Sequence, residues 1–164
     1  MYGALSHEDP DPPFAADLQR IIREDAHAQI LKAVDEHSGR IVGWAWWSIY
    51  RDAKAHAKAE EEGRERVSSP PTRSLCPVLQ VLVVHPSYQG RGIGTKLLMV
   101  GVEEARRLGL HEWLEASEAG YALYRRCGFR DAERMELYFG KYGLTGLRHV
   151  YCMLMDDVVN QKEP

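Results

Sequence analysis

The chain has 164 residues, 45% of them hydrophobic and 27% charged, with a formal net charge of −3. A domain of this size buries roughly 70% of its unfolded surface and holds a core without disulfide or metal staples. The slight acidity argues against a general nucleic-acid binder, which needs a basic stripe to displace phosphate counterions. No apolar run approaches the ~20 residues that span a bilayer.

Met1 to Pro13 carries His7, Glu8, Asp9 and Asp11 and lacks the basic-then-apolar layout of a signal peptide. Cys76, Cys127 and Cys152 form no C-x-x-C pair, so no metal site is expected, and they read as small buried hydrophobes. Reduced thiols place the chain in the cytoplasm or nucleus, and we expect the cytoplasm.

Asp11-Pro12-Pro13 opens a helix on which Phe14, Leu18, Ile21 and Ile22 share a face. Gln29 to Asp35 and Ile41 to Tyr50 read as a hairpin turning at residues 36–39. Ala53 to Arg66 is charged without an apolar stripe, and Ser68-Ser69-Pro70-Pro71 follows. The 51–74 stretch therefore reads as a flexible or solvated insertion, with a substrate-side lid as the alternative. Val78 to Val84 is the most apolar run and predicts a central strand buried on both faces. His85 to Tyr88 ends it.

Ile93, Leu97, Leu98, Gly101, Val102, Ala105 and Leu108 mark an amphipathic helix closed by Gly109. Glu112 to Ala116 reads as a second buried strand. Ser117 caps a helix that runs to Cys127 and stops at Gly128. Met135 to Tyr142 and His149 to Met155 read as closing strands. This order predicts an α+β (α/β sandwich) fold, with helices packed on a mixed, mostly antiparallel sheet.

Between the apolar strand and the long helix stands Gln89-Gly90-Arg91-Gly92-Ile93-Gly94. Glycines let successive backbone N–H groups converge, and a helix N-terminus adds unpaired donors and partial positive charge. That combination is built for a phosphate or pyrophosphate. A dinucleotide fingerprint needs glycine where Thr95 stands, and a Walker A loop fails at Thr95 and Leu97, although Lys96 is in place.

Gln89-x-x-Gly92-x-Gly94, after Val84-His85-Pro86 and before Thr95-Lys96-Leu97-Leu98, resembles the acyl-CoA signature of the GNAT superfamily of N-acyltransferases. Ala122-Leu123-Tyr124-Arg125-Arg126-Cys127-Gly128-Phe129 is similar to that family's second signature, Leu-Tyr-x-x-x-Gly-Phe. The resemblance runs from about Gln29 to Met155, within one domain over residues 1–164. It implies helices on both faces of the sheet and acetyl-CoA as co-substrate, with no metal. The backbone of Leu82, Val83 and Val84 would align the pantetheine arm, and Gln89, Gly90, Arg91, Gly92, Ile93, Gly94 and Thr95 would wrap the pyrophosphate. Ser117 stands where many members place an asparagine on the cofactor. Tyr124, the general acid, would also touch the cofactor.

The chemistry agrees. Acyl transfer from a thioester to an amine requires a neutral amine, a polarised carbonyl and a proton for the thiolate. A tyrosine of ordinary pKa ~10 suits the last task, and the N–H of Val83 or Val84 suits the second. Tyr121 is the competing tyrosine. Glu115 is the candidate base, acting directly or through water, because this chain offers only Gln80 where many relatives carry an acid on the earlier strand.

Fewer than thirty residues precede the hairpin, so the family's first strand and most of its first helix would be missing. Trp44, Trp46 and Trp47 read mainly as core, with an acceptor wall as the alternative. The expected function is an N-acetyltransferase acting on a small-molecule or peptide amine, monomeric or homodimeric, with no nucleic-acid or membrane partner. The alternative is a catalytically weak CoA-binding sensor or scaffold of the same fold.

Overall fold

The computed structural model describes residues 12–51, 54, 77–138 and 147–155. The N-terminal stretch before Pro12, Cys76 and nearly all of the 51–74 insertion lie outside the described residues.

Helix α1 spans Pro12–Glu24, with proline in the first turn as anticipated. Strands β1 (Ala28–Val34) and β2 (Ile41–Ser48) form the hairpin. Strand β3 (Val78–Val84) leads through a 3₁₀ turn, Pro86–Tyr88, into helix α2 (Ile93–Leu108). Strand β4 (Glu112–Ser117), helix α3 (Glu118–Arg126) and strands β5 (Arg130–Tyr138) and β6 (Leu147–Met155) complete the order. The six strands run β1-β2-β3-β4-β6-β5. Among the described residues only β3 and β4 pair in parallel; the other neighbours are antiparallel.

Strand alternation sorts the side chains into two faces. On one face Ala45, Trp47, Leu79, Leu114, Ala116, Met153 and Met155 meet Leu97, Leu98 and Val102 of α2 and Tyr124 of α3 in a single core. Trp47 is fully buried against Gly101 of α2. The other face carries Trp113, Cys152 and Leu154, with Val78 and Met135 packed on them. On that same side α1 reaches the sheet through Phe14, whose ring lies 6.3 Å from that of Trp44. The chain is therefore the expected α+β sandwich with helices on both faces.

Two expectations need correction. The fifth strand begins at Arg130, not Met135, because Arg130 to Arg134 are exposed on an edge strand and carry no apolar alternation; the expected end at 139–142 lies outside the described residues. Strand β3 is not buried on both faces. Leu79 is buried, but Val83 is 48% exposed.

The reason lies in the sheet itself. Between Trp46 and Trp47 of β2, the partner on β3 jumps from Val81 to Leu79, leaving Gln80 as an extra residue. This β-bulge bends β3. Its parallel register with β4 then amounts to Val78↔Trp113 and Leu79↔Leu114. Beyond those pairs the two strands are no longer paired, and a gap opens between Gln80–Val84 and Glu115–Ser117.

Candidate active site

The glycine loop lies at the N-terminus of α2, on the helix-covered face. Gly90 and Gly92 adopt left-handed backbone, with φ of 74° and 77°, and a Cβ on either would meet no atom within 4 Å. The glycines are thus required by conformation, and the space in front of them is open. The first hydrogen bond of the helix runs from the Lys96 N–H to the Gly92 carbonyl at 3.0 Å. By helix geometry the N–H groups of Ile93, Gly94 and Thr95 have no partner within the helix. No acidic residue stands in that first turn, and Arg106 and Arg107 occupy the last. The lack of acid leaves the positive end of the helix dipole uncompensated and favours an anion at the loop, while the two arginines offset its negative end. These residues fit a pyrophosphate.

Other members of the segment hold the loop in shape. Gln89 Nε2 donates to the Val84 carbonyl at 3.0 Å. The Arg91 guanidinium lies 4.9 Å over the ring of Tyr88 and donates to the Ser87 carbonyl at 3.1 Å. Tyr88 in turn hydrogen-bonds Asp35 in the β1–β2 turn, where the Ser38 N–H is the main group that lowers the Asp35 pKa. His85 Nδ1 accepts from the Ser87 N–H at 3.3 Å and serves the turn, as expected. Gly94 has ordinary helical backbone; a Cβ there would sit 3.3 Å from Leu123 of α3, so this glycine brings α2 and α3 together.

The gap lies beside this loop. The His85 N–H donates to the Val42 carbonyl at 2.8 Å, and strand alternation then turns the Val83 N–H toward β2 and those of Leu82 and Val84 toward the gap. Of the two donors considered from sequence, Val84 is placed to serve and Val83 is committed to the ladder.

On the opposite lip, Ser117 Oγ accepts from the Gly120 N–H at 3.3 Å and caps α3. Glu115 is exposed. Its exposure follows from the parting of the strands, because β3 has left the side of β4 on which Glu115 sits.

Tyr124 is 7% exposed and packs in the core with Leu114, Ala116 and Phe129. Burial, with a smaller contribution from the Cys127 thiol, pushes its pKa up to about 12. The Cys127 thiol is itself raised by burial and hydrogen-bonds Thr95, a second tie between α3 and α2. Tyr121, the rival tyrosine, donates its hydroxyl to Asp131 Oδ2 at 2.8 Å and stacks on Tyr151. It is engaged with β5 and β6.

Three features escaped the sequence reading: the bulge at Gln80, the parting of β3 from β4, and the contact of Gly120 with Tyr124. Gln80, the one polar residue in an apolar run, was the available signal for the first.

The profile of the Acetyltransferase (GNAT) family matches residues 2–129. The chain belongs to this family. GNAT relatives among curated proteins include the mycothiol acetyltransferase of Thermobifida fusca, 30% identical over 111 residues, which are 65% of this chain and 30% of that protein. The Escherichia coli protein named uncharacterized N-acetyltransferase YjhQ is 29% identical over 147 residues, 89% of this chain and 71% of its own. The chain thus spans about a third of the length of the mycothiol acetyltransferases it matches. Among solved structures, the ribosomal-protein-S18-alanine N-acetyltransferase of Escherichia coli superposes with a TM-score of 0.60 at 19% identity, covering 96% of this chain and 85% of that one. At that identity the likeness is one of fold. Among the described residues no helix is long and apolar enough to cross a membrane.

Proposed function

We propose that this chain transfers the acetyl group of acetyl-CoA to a primary amine by direct attack, with Tyr124 as general acid. The observation that carries this reading is the gap between β3 and β4, with the N–H groups of Leu82 and Val84 turned into it, Glu115 on the facing lip and the glycine loop beside it. Acetyl-CoA, when bound, supplies an activated acetyl thioester.

The chain's own groups divide the remaining work. The N–H groups of Gly90 to Thr95 hold the pyrophosphate. Those of Leu82 and Val84 line up the pantetheine arm as an added strand would, and the Val84 N–H is available to polarise the carbonyl. Tyr124 is kept protonated by burial, which pushes its pKa up to about 12; it is a weaker acid than an ordinary tyrosine, and it gives its proton to the departing thiolate as the C–S bond breaks. Glu115, open to solvent at the lip, takes the proton of the amine directly or through water. Two relatives are named for mycothiol and for methionine sulfoximine, so the names do not converge on one acceptor.

The test is calorimetry with acetyl-CoA and free CoA, followed by thiol release across a panel of amines. We expect both ligands to bind with similar affinity, since recognition rests on pyrophosphate and pantetheine, and thiol to appear with at least one amine. No heat with either ligand on folded protein overturns the reading. Heat without thiol release makes the chain a CoA-binding module.

A further inference from the structure

We infer that Asp35 and Tyr88 are positioning residues for the cofactor: Asp35 fixes the Tyr88 ring, the ring carries Arg91, and Arg91 holds the loop at Gly90 to Gly92 in the shape that receives the pyrophosphate. The β1–β2 turn, remote in sequence, thereby becomes part of the cofactor site. This inference rests on the acetyltransferase reading above and goes beyond it.

The need for a brace arises in the loop. Gly90 and Gly92 both adopt left-handed backbone, with φ of 74° and 77°. Glycine loses more conformational freedom on ordering than any other residue, and these two flank Arg91. A loop of this kind, left slack, is ordered only when the anion arrives, and that ordering lowers affinity. The Arg91 side chain is the available handle. Its guanidinium donates to the Ser87 carbonyl at 3.1 Å and lies 4.9 Å over the Tyr88 ring. The segment from Ser87 to Arg91 is thus closed on itself.

The handle is only as firm as the ring beneath it. Tyr88 is half-buried, and its N–H donates to the His85 carbonyl at 2.8 Å. The His85 ring meets the phenol ring edge-on, with centroids 5.8 Å apart. The Tyr88 hydroxyl donates to the Asp35 carboxylate. Asp35 is itself locked in its turn. Its Oδ1 accepts from the N–H groups of His37 at 3.0 Å and Ser38 at 2.9 Å. Its own N–H donates to the Arg40 carbonyl at 2.9 Å, and its carbonyl accepts from the Gly39 N–H at 2.8 Å. The chain of contacts therefore ends on a rigid turn.

A carboxylate this close to an anion site needs a reason, because its charge opposes the pyrophosphate. Here the carboxylate is engaged by backbone donors and by the phenol. A phenol that donates to a carboxylate has a more electron-rich ring, and such a ring attracts a guanidinium more strongly. What Asp35 passes to the loop is the orientation of Tyr88 and a firmer seat for Arg91.

The experiment uses the full chain and calorimetry with CoA, each variant beside a thermal melt. Tyr88→Phe keeps the ring under Arg91 and loses the hydroxyl; Kd should rise about three- to tenfold, the effect of one side chain left to be ordered on binding. Tyr88→Leu also removes the ring and should weaken binding further. Asp35→Asn keeps the turn and removes the charge; it should raise Kd severalfold in the parent and add nothing to Tyr88→Phe, since the two residues act as a unit. A carboxylate felt only as a nearby charge would give the opposite sign, tighter binding by Asp35→Asn, and that result overturns the inference. An unchanged Kd in Tyr88→Phe overturns it too. With an amine that turns over, the ratio of kcat/KM for acetyl-CoA to that for S-acetylpantetheine, which lacks the pyrophosphate, should fall with the CoA affinity. Both donors falling in step would mark a general loss of structure and overturns the inference. If CoA binds and no amine turns over, the acetyltransferase reading fails while the dissociation constants still decide this one. A parent chain that gives no heat with CoA overturns both.

Discussion

The ring of Tyr124 rests on Gly120: a Cβ added to Gly120 would stand 2.8 Å from Cε2 of Tyr124 and 3.5 Å from its hydroxyl oxygen. The two residues are four apart on α3, one above the other. No side chain fits between them, so Gly120 fixes where the phenol sits. Gly120→Ala must push the ring aside. Alanine is the better helix former by about 1 kcal/mol, which offsets part of the overpacking, and kcat should fall on the order of 10²-fold, the penalty of a misplaced catalytic group. Steady-state kinetics beside a thermal melt checks this, and an unchanged kcat would mean that the position of the Tyr124 hydroxyl is irrelevant to turnover.

Tyr124 itself sets a pH expectation. Its pKa is pushed up to about 12 by burial, so the phenol keeps its proton through the whole working range. The profile of kcat should show no falling limb below about pH 10, where an ordinary tyrosine would begin to ionise. For stability the sign is the same: the folded value exceeds the unfolded one, so the contribution is complete below pH ~10 and is lost as pH climbs toward about 12. Tyr124→Phe should lower kcat ~10²–10⁴-fold and leave CoA affinity nearly intact. A variant as fast as the parent would assign the proton to water.

The glycine loop gives a graded pair of substitutions. Gly92 has φ of 77° and faces open space, so Gly92→Ala meets backbone strain alone and should weaken CoA binding modestly, by an amount set by the cost of about 1 kcal/mol for a left-handed alanine. Gly92→Glu adds a negative charge to the same space and should abolish binding. Calorimetry on the two variants separates strain from charge. Equal effects would place the pyrophosphate elsewhere.

Gly101 tests the core independently of chemistry. A Cβ there would fall within the indole of Trp47, which is fully buried. Gly101→Ala should destabilise the fold by about 1–3 kcal/mol, the usual size of overpacking, and urea unfolding measures it. An unaltered midpoint would mean that Trp47 has room to move.

Residues that settle their own local structure were legible in advance. Val78 to Val84 matched β3 because a long apolar run admits few readings, and Gly90 and Gly92 matched because φ above zero leaves little choice of residue. Ser117 and Gly109 sit at the helix ends where their types belong. Arg130 to Arg134 gave no sign of a strand, since an edge strand needs no buried alternation. The exposure of Glu115 was not legible, because it depends on where β3 goes, and β3 turns away at a bulge that only Gln80 hinted at. Tyr121 and Tyr124 could be ranked by motif alone; their separation into a surface tie and a buried phenol came from the partners Asp131 and Phe129.

The parting of β3 from β4 also bears on mechanics. The β1-β2-β3 and β4-β6-β5 leaflets share the pairs Val78↔Trp113 and Leu79↔Leu114, near the closed end of the gap. On the covered face they are also linked by the approach of Gly94 to Leu123 and by the Thr95–Cys127 hydrogen bond. A ligand that runs along Leu82 and Val84 while contacting α2 and α3 acts as a rivet through both leaflets. The cohesion it adds follows its affinity, about 2.7 kcal/mol at a ligand concentration a hundred times Kd. Such a reactant is also a structural member, and each turnover slackens and re-tightens the frame that carries out the reaction.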